Sequence, residues 1–131
     1  MQPRLTKATL TDSYSTKITV RTHTFLADEP LELKGNDTAP SPMELLCGAL
    51  ASCTAITLKM YLQHKKIDTD EITVVVSMED ENEHQKRFVR SIDVISTMLT
   101  EAIKKRIVEI ANKCPVHKML EQHNIITSIL E

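Results

Sequence analysis

The segment "SPMELLCGALASCTAITLKMYLQHKK" (residues 41–66) decides the fold. Ser41 fits a helix N-cap, Pro42 the first turn, and Glu44 completes a Ser-x-x-Glu capping box. Leu46, Ala49, Leu50, Cys53, Ile56, Thr57 and Met60 recur at helical spacing and predict one apolar stripe. Gly48, Ala49, Ala51, Ser52 and Ala55 keep the middle of this helix thin, so that another element can approach closely. A long, thin, apolar helix of this kind is expected at the centre of the fold.

Outward from it, strands are expected on both sides. "ATLTDSYSTKITVRTHTFLADEP" (8–30) reads as two short strands with a turn near Asp12–Ser15, Ile18 and Val20 on one face and Arg21 and His23 on the other. "LKGNDTAPSP" (33–42) is a loop by its Gly, Asn, Asp and Pro content. "EITVVVSME" (71–79) alternates with Ile72, Val74, Val76 and Met78 on one face. "DENEHQK" (80–86) predicts a charged hairpin loop, and "RFVRSIDVIST" (87–97) the returning strand. "TEAIKKRIVEIANK" (100–113) is an amphipathic helix with Thr100 as N-cap. "PVHKMLEQH" (115–123) predicts a short further helix, and "NIITSIL" (124–130) a closing strand. The order predicts a single α+β domain over residues 1–131, with helices on a mostly antiparallel sheet.

Composition narrows the function. Aromatic residues are 3% and Trp is absent, so the core rests on aliphatic side chains and leaves room for help from an oligomer interface. A net charge of −2 gives no electrostatic footprint for nucleic acid. No apolar run is read as long enough to cross a membrane, and the N-terminus has no apolar signal core, so a cytoplasmic protein is expected. Two glycines, Gly35 and Gly48, supply neither a phosphate-cradling loop nor a strained serine-nucleophile turn.

The three cysteines carry the chemistry that remains. None forms a Cys-x-x-Cys pair, and a reducing compartment argues against a structural disulfide framework, though not against a transient catalytic one. Cys53 lies in the apolar stripe, where a buried small hydrophobe is the plainer reading. Cys114 ends the stripe Ile107, Ile110, Ala111 and precedes Pro115, so it fits the N-cap of the next helix. There the first N–H groups would favour a thiolate, with His117 about one turn on; a simple cap is the alternative. Cys47 and Cys53, six residues apart, point about 120° apart and about 9 Å along a helix, and Cys47 reads as packing. A zinc reading would need Cys53, Cys114 and His117 to converge, with His23 or His64, without any recognised zinc spacing.

"GNDTAPSPMELLCGALASCTAITLKMY" (35–61) followed by "CPVHKMLE" (114–121) resembles the OsmC/Ohr family of osmotically induced and organic-hydroperoxide-resistance proteins. The similarity runs from about Ile18 to the C-terminus. It implies an α+β fold in an interlocked homodimer, and thiol-dependent reduction of organic hydroperoxides. By motif position it implies Cys53 as the attacking cysteine and Cys114 as the resolving one. It further implies recycling by an external dithiol such as a lipoylated protein, and no metal, flavin or haem cofactor. The family's Arg–Glu pair places a Glu ten residues before the attacking cysteine. Here that position is Met43, and Glu44 stands nine before. Nine helical residues separate Glu44 and Cys53 by about 13 Å and about 180°, so Glu44 would serve the Cys53 of the other subunit. Arg21 is favoured over Arg90 as the activating cation, because the family's Arg comes from the N-terminal strands. The displaced Glu also leaves a second expectation: a stress-associated binding module of the same fold with little peroxidase chemistry.

Overall fold

Alternating β-branched residues and a short polar turn set the N-terminal hairpins. The structure is a computed structural model and describes residues 4–131. Its described residues form two compact units, 4–46 and 47–131. In the first, β1 (Thr6–Leu10), β2 (Thr16–Val20) and β3 (His23–Ala27) form an antiparallel sheet in the order β1-β2-β3. Three strands stand where the sequence suggested two. A two-residue turn, Arg21–Thr22, folds β3 back so that Val20 pairs with His23. Arg21 is therefore an exposed turn residue at φ 53, not a strand residue.

The loop after β3 is organised by Asp28. Its carboxylate accepts from Glu29 N (2.8 Å), Thr38 N (3.1 Å) and Thr38 Oγ1 (2.6 Å), and its own N–H donates to Pro40 O at 3.0 Å. These bonds hold its pKa below the ordinary 3.8, the Thr38 hydroxyl contributing most. Gly35 is required here by space, because a Cβ at that position would lie 2.0 Å from Glu29 O.

The helix α1 (Pro42–His64) begins at the end of this unit and continues into the second. The capping box forms as read: Glu44 N donates to Ser41 Oγ (3.2 Å) and Ser41 N donates to Glu44 Oε1 (2.9 Å). The stripe falls only in part where the spacing placed it, at Leu50. Leu50, Thr54, Leu58 and Leu62 are the buried residues, whereas Ile56 and Met60 are 56% and 65% exposed. This helix is apolar on more than one face, so periodicity alone does not choose which face turns inward. By length and composition α1 is also apolar enough to cross a membrane, with a mean hydropathy of 1.6 over its most apolar window. The reading that no segment is long enough is thereby corrected: its small apolar residues hold the mean hydropathy high without a run of large ones.

In the second unit β4 (Glu71–Asn82) and β5 (Gln85–Ile95) pair antiparallel. Their strands run further than expected, and the turn shrinks to Glu83–His84. Charged residues on both flanks are tolerated because the hairpin tip is solvated on both faces. The helix α2 (Glu101–Ala111) starts at Thr100, whose side chain accepts from Ile103 N at 3.2 Å, and α3 (Pro115–Leu120) follows. Leu58, Leu62, Ile107 and Ala111 form the buried core, with Ile72, Ile92, Val94, Leu99 and Ile103 packed around it. The closing strand is not formed. Residues 124–131 have no regular structure, and Ile125, Ile126, Ile129 and Leu130 are exposed. A strand needs a paired ladder, and within the described residues this segment has none.

Candidate functional site

Cys114 becomes an N-cap because Pro115 takes the first position of α3 and leaves Cys114 extended, at φ −63 and ψ 142. Its sulfur accepts from His117 N at 3.3 Å. The residue is fully buried. Across from it, Thr54 of α1 places Oγ1 3.6 Å from Cys114 Sγ. Cys53 precedes Thr54 on α1, and its thiol is near enough to Cys114 to act on that residue's titration, so the two thiols of the predicted pair are neighbours. Cys53 is half-buried, as is Cys47.

Arg90 closes the cluster. On β5, Phe88, Arg90, Ile92 and Val94 share the inward face, and Arg90 pairs in register with Val76. A guanidinium on an apolar face needs partners. It has three: Nη1 donates to Thr54 Oγ1 (3.0 Å), and Nη2 donates to Asn112 Oδ1 (2.9 Å) and to His117 Nδ1 (3.0 Å). An Nδ1 that accepts from Arg90 carries no proton, so the proton is on Nε2, which faces Glu121 Oε1 at 3.0 Å. His117 thus links Arg90 to Glu121.

The electrostatics act on Cys114. Burial pushes its thiol up, but the His117 N–H, the Thr54 hydroxyl, the Cys53 thiol and the Arg90 charge together hold it below its ordinary 9.0. Thr54 has one hydroxyl proton, which it donates to Leu50 O at 2.7 Å. A charged Cys114 would draw that proton to itself, so the side chain can serve both protonation states. Beside the cluster, a cavity of about 560 Å³ is lined by Leu50, Phe88, Leu120, Lys86, Arg90 and His117, among others. Its walls are apolar and charged, with Glu121 as well as Lys86 and Arg90.

The sequence-derived residues fall into two sets. The structure brings Cys53 and Cys114 together and adds Thr54 and Arg90 to them. Arg21 and Glu44 lie in the other compact unit, Arg21 in the β2–β3 turn and Glu44 in the capping box, where the Ser41 N–H and then the Ser41 hydroxyl hold the Glu44 carboxyl below the ordinary 4.5. Arg90 was visible as a cation interrupting an apolar alternation. Thr54 had no such signal, since a threonine inside an apolar helix reads as filler. Among the described residues no group of three His, Cys, Asp or Glu side chains is arranged to hold a metal ion.

Comparison with known proteins decides the family. The OsmC-like protein family model matches residues 35–129. The chain belongs to the OsmC-like family. Solved relatives share its fold. An OsmC-like protein from Mycoplasma pneumoniae aligns with a TM-score of 0.77 at 19% identity, covering 92% of this chain and 88% of that one. A candidate osmotic stress induced and detoxification response protein from Psychrobacter arcticus aligns at 0.74 and 23% identity, covering 91% and 90%. An organic hydroperoxide resistance protein from Legionella pneumophila aligns at 0.67 and 18% identity, covering 92% and 90%. No curated protein sequence matches the chain significantly.

Proposed function

We propose that this OsmC-like protein reduces organic hydroperoxides through a two-cysteine cycle. The observation that carries the reading is the pairing of a half-buried Cys53 with a fully buried Cys114 beside the Arg90 guanidinium. Two neighbouring thiols of unequal access suit the two roles. Cys53, the more accessible sulfur, attacks the distal peroxide oxygen, releasing an alcohol and leaving a sulfenic acid. Cys114 then displaces hydroxide from that sulfur to form the disulfide. An external dithiol, such as a lipoyl group, restores both thiols by exchange. The cycle uses sulfur alone, and it suits a reducing, cytoplasmic compartment. The cavity next to Arg90 has the room for an alkyl hydroperoxide, and a relative of the same fold is named for organic hydroperoxide resistance.

The cation is assigned to Arg90, on its contact with Thr54. Glu44 enters this reading through a homodimer, as a group lent by a second copy. Two features support such a dimer. The exposed stripe of α1 carries Ile56 and Met60, and a Cβ at Gly48 would meet nothing within 4 Å. A helix this apolar is stable in water only with its second face covered.

Reduced protein mixed with cumene hydroperoxide should consume about one peroxide per subunit and lose two thiols. Cys53→Ser should abolish this and Cys47→Ser should not. Turnover surviving in Cys53→Ser would refute the assignment. The engagement of Glu44 by the helix cap favours the alternative of a binding module with little chemistry. That reading requires that cumene hydroperoxide leave the reduced thiols intact.

A further inference from the structure

Cys114 stands in a three-residue link between two helices, α2 ending at Ala111 and α3 starting at Pro115. So short a link aims the sulfur only if both helices are held. Ile107 and Ala111 anchor α2 in the core, but α3 has no buried residue, so burial alone does not fix its angle. Arg90 supplies the missing constraint. Its Nη2 has two N–H groups. They go to Asn112 Oδ1 (2.9 Å), two residues before Cys114, and to His117 Nδ1 (3.0 Å), three residues after it. Nη1 donates to Thr54 Oγ1 at 3.0 Å, and Thr54 follows Cys53 on α1. One planar guanidinium therefore holds the chain on both sides of Cys114 and ties it to the residue next to Cys53. The bond to Asn112 is exposed to water, so it contributes little to the stability of the fold.

We infer that Arg90, clasping Asn112 and His117 on either side of Cys114, is the positioning residue of the disulfide-forming step. This rests on the two-cysteine reading, and it gives Arg90 a geometric task besides its charge. In that step the Cys114 thiolate bonds to the sulfur of the Cys53 sulfenic acid. The S–O bond breaks and its electron pair leaves with hydroxide. The attack must come in line with the S–O bond, and a Cys114 that swings with α3 meets that line less often. While the sulfenic acid waits, a second hydroperoxide can oxidise it further: Cys53–SOH and ROOH give Cys53–SO₂H and ROH. The clasp thus sets the ratio of disulfide to overoxidised protein. Lysine does not replace it, because an ammonium on a flexible stem lacks the fixed planar fork.

The test reads the two steps apart, in a Cys47→Ser background. Peroxide consumption after rapid mixing with cumene hydroperoxide follows the first step. Intact mass after acid quench, with a 1,3-dione as trap for sulfenic acid, follows the second. Asn112→Ala should leave the first step unchanged and slow disulfide formation about tenfold or more, while trapped sulfenic acid and sulfinic acid accumulate. Asn112→Asp keeps an acceptor for Nη2 and should restore the rate to within about twofold. Arg90→Lys keeps the charge and should still slow disulfide formation as Asn112→Ala does. Disulfide formation at the wild-type rate in Asn112→Ala or Arg90→Lys would overturn the positioning role, and so would an Asn112→Asp variant as slow as Asn112→Ala. Diamide oxidises a thiol pair without peroxide and so separates the clasp from the peroxidase reading. Wild-type protein that leaves cumene hydroperoxide unreduced, yet closes its disulfide with diamide faster than Asn112→Ala does, would refute the peroxidase reading and uphold the clasp. Equal diamide rates in the two proteins would overturn the clasp and leave the peroxidase reading standing.

Discussion

Replacing Thr54 by Val tests the network with little change of shape. The side chain is fully buried and the two residues are nearly isosteric, so no cavity opens. What goes is one hydroxyl with three neighbours: Leu50 O at 2.7 Å, Arg90 Nη1 at 3.0 Å and Cys114 Sγ at 3.6 Å. Leu50 O keeps its helical partner, so losing the short side-chain bond costs little. Arg90 loses a charge-assisted bond but retains Asn112 and His117 and borders the cavity, where water can approach its guanidinium. The low end of the range for charged hydrogen bonds applies, giving a total of about 2 kcal/mol. For a chain of this size that is a fall of roughly 8 °C in Tm. The same change removes a donor from Cys114, so its titration should move up toward that of a free cysteine. Thermal melting by circular dichroism and thiolate absorbance against pH read the two effects on one sample. Thr54→Ser keeps the hydroxyl and sheds a methyl, so it should lose about 1 kcal/mol and leave the titration in place. A Val variant that melts and titrates like the wild type would refute the claim that this hydroxyl links Arg90 to Cys114.

Further outcomes follow from other parts of the molecule. Ile56→Glu places a charge on the exposed stripe of α1, so sedimentation equilibrium should show a dimer for the wild type and a monomer for the variant; a variant of unchanged mass would remove this face from the interface. Leu58→Ala, at a fully buried core position, should cost about 3 kcal/mol in denaturant unfolding, and a loss under about 1 kcal/mol would mean the site collapses freely. Asp28 has a folded pKa below the ordinary 3.8, so its contribution is complete above 3.8 and is lost as pH falls through the depressed folded value. The stability gap between wild type and Asp28→Asn should therefore narrow in acid, and a gap independent of pH would contradict the role given to its carboxylate.

Much of the fold was legible because its cues are local. The capping box at Ser41 and Glu44, the Thr100 cap and the Pro115 start of α3 depend on residues three or fewer apart, and all three formed as read. The alternation of β4 and β5 was equally local. Misreadings occurred where a choice depended on distant partners. The 124–130 segment has strand composition but no ladder to join within the described residues. The inward stripe of α1 was expected through Leu50, Cys53, Ile56 and Met60, whereas packing kept Leu50 and selected Thr54, Leu58 and Leu62 beside it.

The candidate site divides in the same way. From sequence alone come the two cysteines, the cap that turns Cys114 toward a row of N–H groups, and the family that relates them. The side chains around the pair could not come from there. Cys53 and Cys114 are 61 positions apart and Thr54 and Arg90 are 36 apart, and only packing makes neighbours of them. The family resemblance favoured Arg21 as the cation; the hairpin register of β4 and β5 turns Arg90 inward onto Thr54. Hydrogen bonds and charge act over a few ångströms, so the sequence determined which groups were present, and the tertiary structure decided which sulfur they act upon.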